Sequence, residues 1–408
     1  MAQIEADVLV VGGGLVGTTL AAALGGAGVA VVLVERADPA DLAAVGFDGR
    51  VSAIALGSAN LLGAIGVWER VAEAEPIRDI RVSDGDARGR ASRLFLHYDH
   101  RELGDRPFGY MVENRVLRAA LYARLAELGA VRVLAPVAVD ALERGPRRVE
   151  ARLADGRRVV ARLAVGADGR RSALRRRAGI GVITWPYAQT SIVCTVAHQR
   201  PHNGVAHEHF LPGGPFAVLP MTGRRSAVVW TESNRLAPHM LALGEPEFGG
   251  EMTRRFGDSL GRLRPVGPRW SYPLSLLHAE RYIDRRLALI GDAAHAIHPI
   301  AGQGLNLGFR DVAALAEAVV DARRLGLDIG EVPVLQRYQR WRRFDTLLLA
   351  AVTDGLNRLF SNDLTPVRLI RDLGLGAVNR AAPLKRFFTR HAMGLVGELP
   401  RLVRGEPL

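Results

Sequence analysis

Residues 8–34, VLVVGGGLVGTTLAAALGGAGVAVVLV, carry no charge. An uncharged run of this length could cross a membrane or form the apolar part of a signal peptide. Two acids precede it, Glu5 and Asp7, where a signal peptide would carry Lys or Arg, and seven glycines interrupt it. The run divides instead into a strand at Val8–Val11, a glycine turn, a small-residue helix from about Leu15 to Leu24, and a second strand at Ala30–Val34. That is a βαβ unit. Parallel strands buried on both faces read as unbroken apolar stretches.

Further along, Arg50–Trp68 is apolar at helical spacing, and residues 69–108 are mixed. Leu117, Leu121, Leu125 and Leu128 predict a helix over 115–128. Val131–Val139 reads as a strand. Val149–Leu153 and Val159–Leu163 flank Asp155-Gly156, a hairpin signal. The segment 181–277 is richer in strand-like runs (Ser191–Ala197, Phe216–Leu219, Ala227–Thr231), with a turn at Pro212-Gly213-Gly214-Pro215. Leu287–Ile290 is another buried strand, and from about 303 the chain reads as helix almost to its end. This order predicts an α/β nucleotide-binding unit from residues 1–75, 108–180 and 278–345. A sheet-rich unit of 76–107 and 181–277 is inserted in it, and a helical region of 346–408 follows.

Composition changes this picture in two places. A single cysteine, Cys194, excludes an internal disulfide framework and any Cys-based zinc or iron–sulfur site. The net charge of +12 raises nucleic acid or an anionic membrane as partners, but no nucleic-acid motif follows. The distribution is more informative than the sum. Residues 361–408 hold eight Lys/Arg against four Asp/Glu, among apolar residues such as Leu369, Leu373, Leu384, Phe387 and Phe388. That pattern predicts a basic amphipathic surface able to sit on anionic lipid or an acidic partner, on a cytoplasmic protein.

The candidate chemistry lies at the strand ends. Gly12-x-Gly14-x-x-Gly17 follows the first strand and opens the helix through Leu15 and Val16. Gly12 allows the tight turn, Gly14 lets the backbone approach a pyrophosphate, and Gly17 lets helix and strand pack closely. The helix N-terminus supplies free N–H groups and a positive dipole end. Glu35, followed by Arg36, stands where an acid accepts hydrogen bonds from a ribose diol. No second full fingerprint exists, so one dinucleotide has a dedicated Rossmann-like site. Two further strand ends carry Asp168-Gly169 and Gly291-Asp292. The second leads into Pro299-Ile-Ala-Gly302-Gln-Gly304-Leu305-Asn306, a glycine loop entering a helix.

In this order and spacing the motifs resemble the class A flavoprotein monooxygenases, the hydroxybenzoate-hydroxylase-like group with a glutathione-reductase-type FAD domain. HPIAGQGLNLGFRD, Val112-Glu-Asn-Arg115, FLPGGPFAVLP at 210–220 and the tail around Arg371, Gly374, Lys385 and Met393 look like its ubiquinone-biosynthesis hydroxylase branch. The resemblance implies bound FAD, with NAD(P)H and O2 as co-substrates. It assigns the ADP half to Gly12, Gly14, Gly17 and Glu35. Asp168-Gly169 goes to FAD and the nicotinamide donor, and Asp292 to the ribityl chain. Arg50 goes to the flavin, and Asn114 or Arg115 to the ribitol or phosphate. A hydroperoxyflavin would attack an electron-rich ring, most simply a prenylated phenol or quinol precursor of ubiquinone. A small soluble aromatic is the alternative substrate.

No protein nucleophile is implied. A base or acceptor for a phenol would help, and His298, Tyr187 and Pro299 are candidates, with His295 beside them. His207 and His209, two apart on a strand, make too weak a set to predict a metal. Twelve arginines between 144 and 177 form either a solvated surface over the hairpin or a docking surface for the donor's phosphates.

Overall fold

The computed structural model describes residues 3–39, 46–85, 91–102, 104–298, 302–360 and 393–408. Residues 365–392 of the tail surface expected over 365–397, and the candidate Pro299, lie outside these residues.

The opening run forms strand Gln3–Val11, helix α1 (Leu15–Gly26) and strand Val31–Val34. The two strands pair in parallel from Val8↔Val31 to Val11↔Val34. Val8, Leu9 and Val10 are fully buried, which explains the absence of polar alternation. The nucleotide-binding sheet continues in the order Ile283–Asp284, Leu287–Leu289, Arg158–Gly166, Gln3–Val11, Val31–Val34, Val131–Leu134. Arg158–Gly166 also closes an antiparallel pair with Val149–Leu153, turning at Gly156 with φ +84°. Helices α1, α2 (Asn114–Glu127) and α4 (Gly304–Arg324; α3 is introduced below) pack on this sheet and on one another.

A second sheet of eight strands runs His295–Ala296, Leu263–Ala279, Val182–His198, Arg225–Ser233, Gly214–Met221, Val205–Leu211, Asp79–Gly85, Ala91–Asp99. Its outer face carries Ile192, Phe216, Val218, Val228 and Trp230. Helix α3 (Glu245–Phe256) seals that face with Phe248, Met252 and Phe256, four residues apart. The alternate residues point the other way. Ala206 and Ala227 join Leu56, Phe108 and Met111 on the nucleotide-binding side. Helix α5 (Val332–Phe360) bridges the two sheets. Its Tyr338 hydroxyl donates to Leu289 O at 2.7 Å, and about 33 Å of helix later (22 residues at about 1.5 Å each) Phe360 stacks on Phe210 with ring centroids 4.2 Å apart.

Three sequence expectations change. Arg50–Trp68 is not one helix: Val51–Ala55 is a strand paired with Gly109–Glu113, and the helix is Leu56–Ala64. Distant pairing decides this, helped by branched Val51 and Ile54. Val131–Val139 splits into Val131–Leu134 and Val139–Arg144, with Pro136, which has no N–H to donate, between them. The segment 181–277 also contains helices Ala237–Ala242 and α3. Among the described residues no helix is long and apolar enough to cross a membrane.

Candidate cofactor and substrate site

The glycine turn separates glycines needed for packing from one that is not. Gly12 has φ +111°, and a Cβ there would collide with Ala167 O of the neighbouring strand. A Cβ on Gly17 would collide with Gly12 O. One on Gly13 would lie 2.7 Å from the Tyr122 hydroxyl and 2.8 Å from Glu35 Cβ, a constraint the motif reading missed. Gly14 differs: a Cβ there meets nothing within 4 Å. It begins α1 with no side-chain cap and no acid in the first turn. The first N–H groups of α1, flanked by Leu15 and Val16, thus face open volume. A pyrophosphate fits that arrangement.

Glu35 sits directly after the second strand. Gly13 N–H donates to its Oε2 at 2.5 Å and Ala37 N–H to its Oε1 at 2.8 Å, so the acid holds the turn while keeping lone pairs to spare. Arg36 beside it is exposed. Asp168-Gly169 packs on the same turn, since Ala167 N–H donates to Val11 O at 2.8 Å. Asp168 Oδ2 accepts from Ala173 and Leu174 N–H, and its Oδ1 is buried with no partner among the described residues. Gly169 has φ +77°.

Gly291-Asp292 ends the Leu287–Leu289 strand. Gly291, at φ +57°, packs on Val16, as does Gly308 of α4, so the two motif helices and this loop converge there. Asp292 is open to solvent, yet the protein around it desolvates its carboxyl and pushes it above the ordinary carboxylate value. Accessible and desolvated together describe a cleft, with no protein partner among the described residues.

Beneath this loop lies a charge network that the motifs did not announce. Asp311 is fully buried on α4 and accepts from Gly291 N–H at 3.0 Å, His295 Nε2 at 2.6 Å and Arg342 Nε at 2.9 Å. Burial alone would push its carboxyl up; His295 and Arg342 outweigh that and hold it below the ordinary value. Arg342 and Arg310 both reach Asp345, at 2.6 and 3.0 Å. His295 is therefore a support of the loop. The available signal was Arg310-Asp311, two adjacent charges between the apolar stretches Leu307–Phe309 and Val312–Ala316.

The remaining motif residues surround the same edge. Arg50 pairs with Asp48 at 2.7 Å and lies 5.5 Å over the Trp270 ring of the second sheet. Asn114, opening α2, accepts from Ser52 Oγ at 2.7 Å. Arg115 turns back to Glu113 at 2.6 Å. Gly302 has φ +61°, with Ala53 Cβ 3.2 Å from where its Cβ would be. Asn306 spends its amide on strand Val51–Ala55, donating to Ala53 O and accepting from Ala55 N–H, both at 2.9 Å. Gly304 and Leu305, at the start of α4, are half-buried, and a Cβ on Gly304 would meet nothing within 4 Å.

The second sheet brings two catalytic candidates together. Tyr187 and His298 meet edge to face, 5.1 Å between centroids. Neither His298 nitrogen nor the Tyr187 hydroxyl has a hydrogen bond of good geometry among the described residues, although all three atoms are buried. Burial lowers His298 to about 4, against the pull of Asp354 on α5, so the ring is neutral at pH 7. Burial, then Asp354, pushes the Tyr187 phenol up. Along the same face, Ser191 and Thr231 sit opposite each other, their buried hydroxyls unpartnered among the described residues. Asn357, one turn beyond Asp354, donates to Gln189 at 3.0 Å.

His207 and His209 lie on the outer face, stacked 6.0 Å apart against Phe256, with His209 Nδ1 2.6 Å from Ser83 Oγ. The arginines of 144–177 are largely engaged: Arg157 with Asp155, Arg158 with Glu150, Arg144 with Asp284, and buried Arg175 with Ala293 O and Arg170 O.

Comparison with known proteins follows the same lines. A family model described as an FAD binding domain matches residues 5–324. The p-nitrophenol 4-monooxygenase PnpA from Pseudomonas putida DLL-E4 shares the fold, with a TM-score of 0.79 at 22% identity over 98% of this chain and 100% of that one. The molecule is an FAD-dependent monooxygenase of the class A aromatic hydroxylase fold, using NAD(P)H and O2. Ubiquinone hydroxylase UbiL of Rhodospirillum rubrum is 58% identical over 407 residues, 99% of this chain and 94% of that protein. The 3-demethoxyubiquinol 3-hydroxylase of Escherichia coli (strain K12) is 37% identical over 392 residues, 95% of this chain and 98% of that protein. The chain belongs to the family of ubiquinone-biosynthesis flavin hydroxylases.

Proposed function

We propose that this enzyme hydroxylates the aromatic ring of a prenylated phenol or quinol on the way to ubiquinone. The observation that carries the reading is 58% identity to a ubiquinone hydroxylase across 99% of the chain. Deleting the gene in its host and identifying the accumulated precursor by mass spectrometry tests it. A prenylated ring lacking one hydroxyl is expected; unchanged ubiquinone with no precursor would overturn the assignment.

In this reading the three-part nucleotide-binding unit and the inserted sheet are the FAD and substrate domains. Gly12, Gly14, Leu15, Val16 and Gly17 hold the pyrophosphate at α1. Glu35 and Arg36 hold the adenosine ribose. Asp292 takes the ribityl hydroxyls, which supply the partners its desolvated carboxyl lacks. Arg50, Asn114 and Arg115 flank the chain, Asp168-Gly169 orders the turn, and Gly302, Gly304, Leu305 and Asn306 frame the ring edge. When bound, the flavin passes electrons from NAD(P)H to O2 and one oxygen atom to the substrate. The protein's part is to bind, orient and exclude water. Neutral His298 and Tyr187 line the substrate's side of the cleft from the inner face of the substrate sheet.

A greasy substrate also needs a route. The outward side of α5 presents Phe344, Leu347, Leu348 and Val352 to solvent, Phe344 at 75% exposure, with Arg337, Arg340 and Arg358 exposed along the same helix. We infer that this side of the helix rests on an anionic membrane surface. Leu348→Glu should reduce salt-sensitive flotation with phosphatidylglycerol vesicles, and unchanged flotation would remove the claim.

A further inference from the structure

Glu208 lies at the centre of strand Val205–Leu211, between Ala206 and Phe210 on the inner face. The register puts it opposite Ala217 on one side and Val82 on the other. Val82 and Phe210 pack with Phe360 of α5, and Ala206 packs with Met111 and Phe108 of the nucleotide-binding side. Glu208 is thus a carboxyl in the apolar seam between the two sheets. It is only partly exposed, and burial pushes it up to about 7. Burial is the sole influence on it: no cation and no hydrogen bond reaches it among the described residues.

Other enclosed acids show how unusual this is. Glu113 is held by Arg115 and Arg225, Glu232 by Arg255 and Ser233 N–H, and Glu317 by Arg401. An acid that burial disfavours and nothing compensates is costly to keep. Its position facing the seam, two residues from the Phe210–Phe360 stack, gives it an aromatic neighbourhood and no protein partner among the described residues.

We propose that Glu208 is a catalytic residue that accepts the hydrogen bond of the substrate's phenol and takes its proton during hydroxylation. This rests on the prenylated-phenol reading above. The ring carbon's electron pair forms the bond to the oxygen atom derived from O2, while the phenol O–H bond breaks and its proton moves to the Glu208 carboxylate. The ring carbon then loses its hydrogen to water as a proton, its electrons restore aromaticity, and Glu208 returns its proton to the ring oxygen. The ring is oxidised by two electrons. The two from NAD(P)H reduce the second oxygen atom to water. A base near the working pH is suited to such a transfer.

The test uses FAD-loaded enzyme with ortho-geranylphenol and its methyl ether, which cannot donate. Binding is followed by flavin fluorescence and turnover by product formed per NAD(P)H oxidised. Wild type should bind the phenol at least tenfold more tightly than the ether. Glu208→Leu, which suits the apolar seam, should abolish that preference while keeping full flavin content. Glu208→Gln should keep part of the preference but lose tenfold or more in product per NAD(P)H, the electrons appearing as hydrogen peroxide. A Leu variant with an unchanged preference, or a Gln variant with unchanged coupling, would overturn the proposal and leave the substrate reading standing. A wild type that neither binds nor hydroxylates the phenol would overturn both.

Discussion

The two strand-end regions of this enzyme treat polar side chains in opposite ways. At the nucleotide-binding edge the motif side chains are already engaged with the backbone. Glu35 holds Gly13 and Ala37, Asp168 holds Ala173 and Leu174, Asn306 holds strand Val51–Ala55, and Asp311 holds Gly291. On the inner face of the second sheet, the Ser191 and Thr231 hydroxyls and both His298 nitrogens are buried without hydrogen-bond partners among the described residues, and Tyr187 has only a poorly aligned approach to Asp354. The first region shapes its loops in advance, so that backbone N–H groups and open volume do the binding. In the proposed reading, the second leaves side chains for a ligand to satisfy. Satisfied groups mark the scaffold of a site, and orphaned ones mark its contents.

The largest expected effect comes from removing a scaffold acid. Asp311→Ala strips the partner from Arg342, His295 and Gly291 at once. Breaking a buried pair in this way costs about 3–5 kcal/mol, so denaturant unfolding should shift by that amount or the chain should fail to fold. An unshifted midpoint would mean that the network is not scaffold.

Next is Gly14→Val. Its Cβ has room in the polypeptide, so the apoprotein should melt within about 2 °C of wild type, a shift worth well under 1 kcal/mol at this size. FAD affinity should fall about 100-fold or more, about 2.7 kcal/mol. Full flavin occupancy would contradict the pyrophosphate assignment.

A smaller effect is expected from pH. Burial lowers His207 to about 3 and His209 to about 4, from an ordinary value of 6.5. Below pH 6.5 the unfolded chain takes up protons that the folded chain refuses. Stability is therefore full above that pH and declines as pH falls toward 4, by on the order of 2 kcal/mol. His209→Leu should flatten this decline in urea melts taken across the range. A slope unchanged by the substitution would assign the acid sensitivity elsewhere.

The smallest stability effect is the most diagnostic. Thr231→Val removes a hydroxyl that bonds to nothing among the described residues, so unfolding should change by no more than about 0.5 kcal/mol. A loss of 2 kcal/mol or more would mean that the inner face is scaffold as well.

Legibility in the sequence follows the same division. The βαβ unit, the glycine turn, Glu35 and the loops at Asp168 and Asp292 could be read directly, because each is a local strand–turn–helix requirement that fixes residue types at short spacing. Asp311 with Arg342, and the meeting of Tyr187, His298 and Asp354, could not. They join residues between 31 and 167 positions apart in sequence, and no local period encodes such contacts. The apolar pattern of Val51–Ala55 fits helix and strand alike for the same reason: its distant partner, Gly109–Glu113, decides. Of the arginines between 144 and 177, Arg144, Arg148, Arg157, Arg158 and Arg162 pair with acids near the surface, contacts worth little individually.

The central claim is that the loaded site oxygenates a prenylated phenol on its ring. Purified enzyme with FAD bound should be given ortho-geranylphenol, NAD(P)H and isotopically labelled dioxygen. The account predicts one labelled oxygen atom in a new ring hydroxyl, found by mass spectrometry. Unlabelled or unmodified phenol, with the electrons recovered only as hydrogen peroxide, would contradict it.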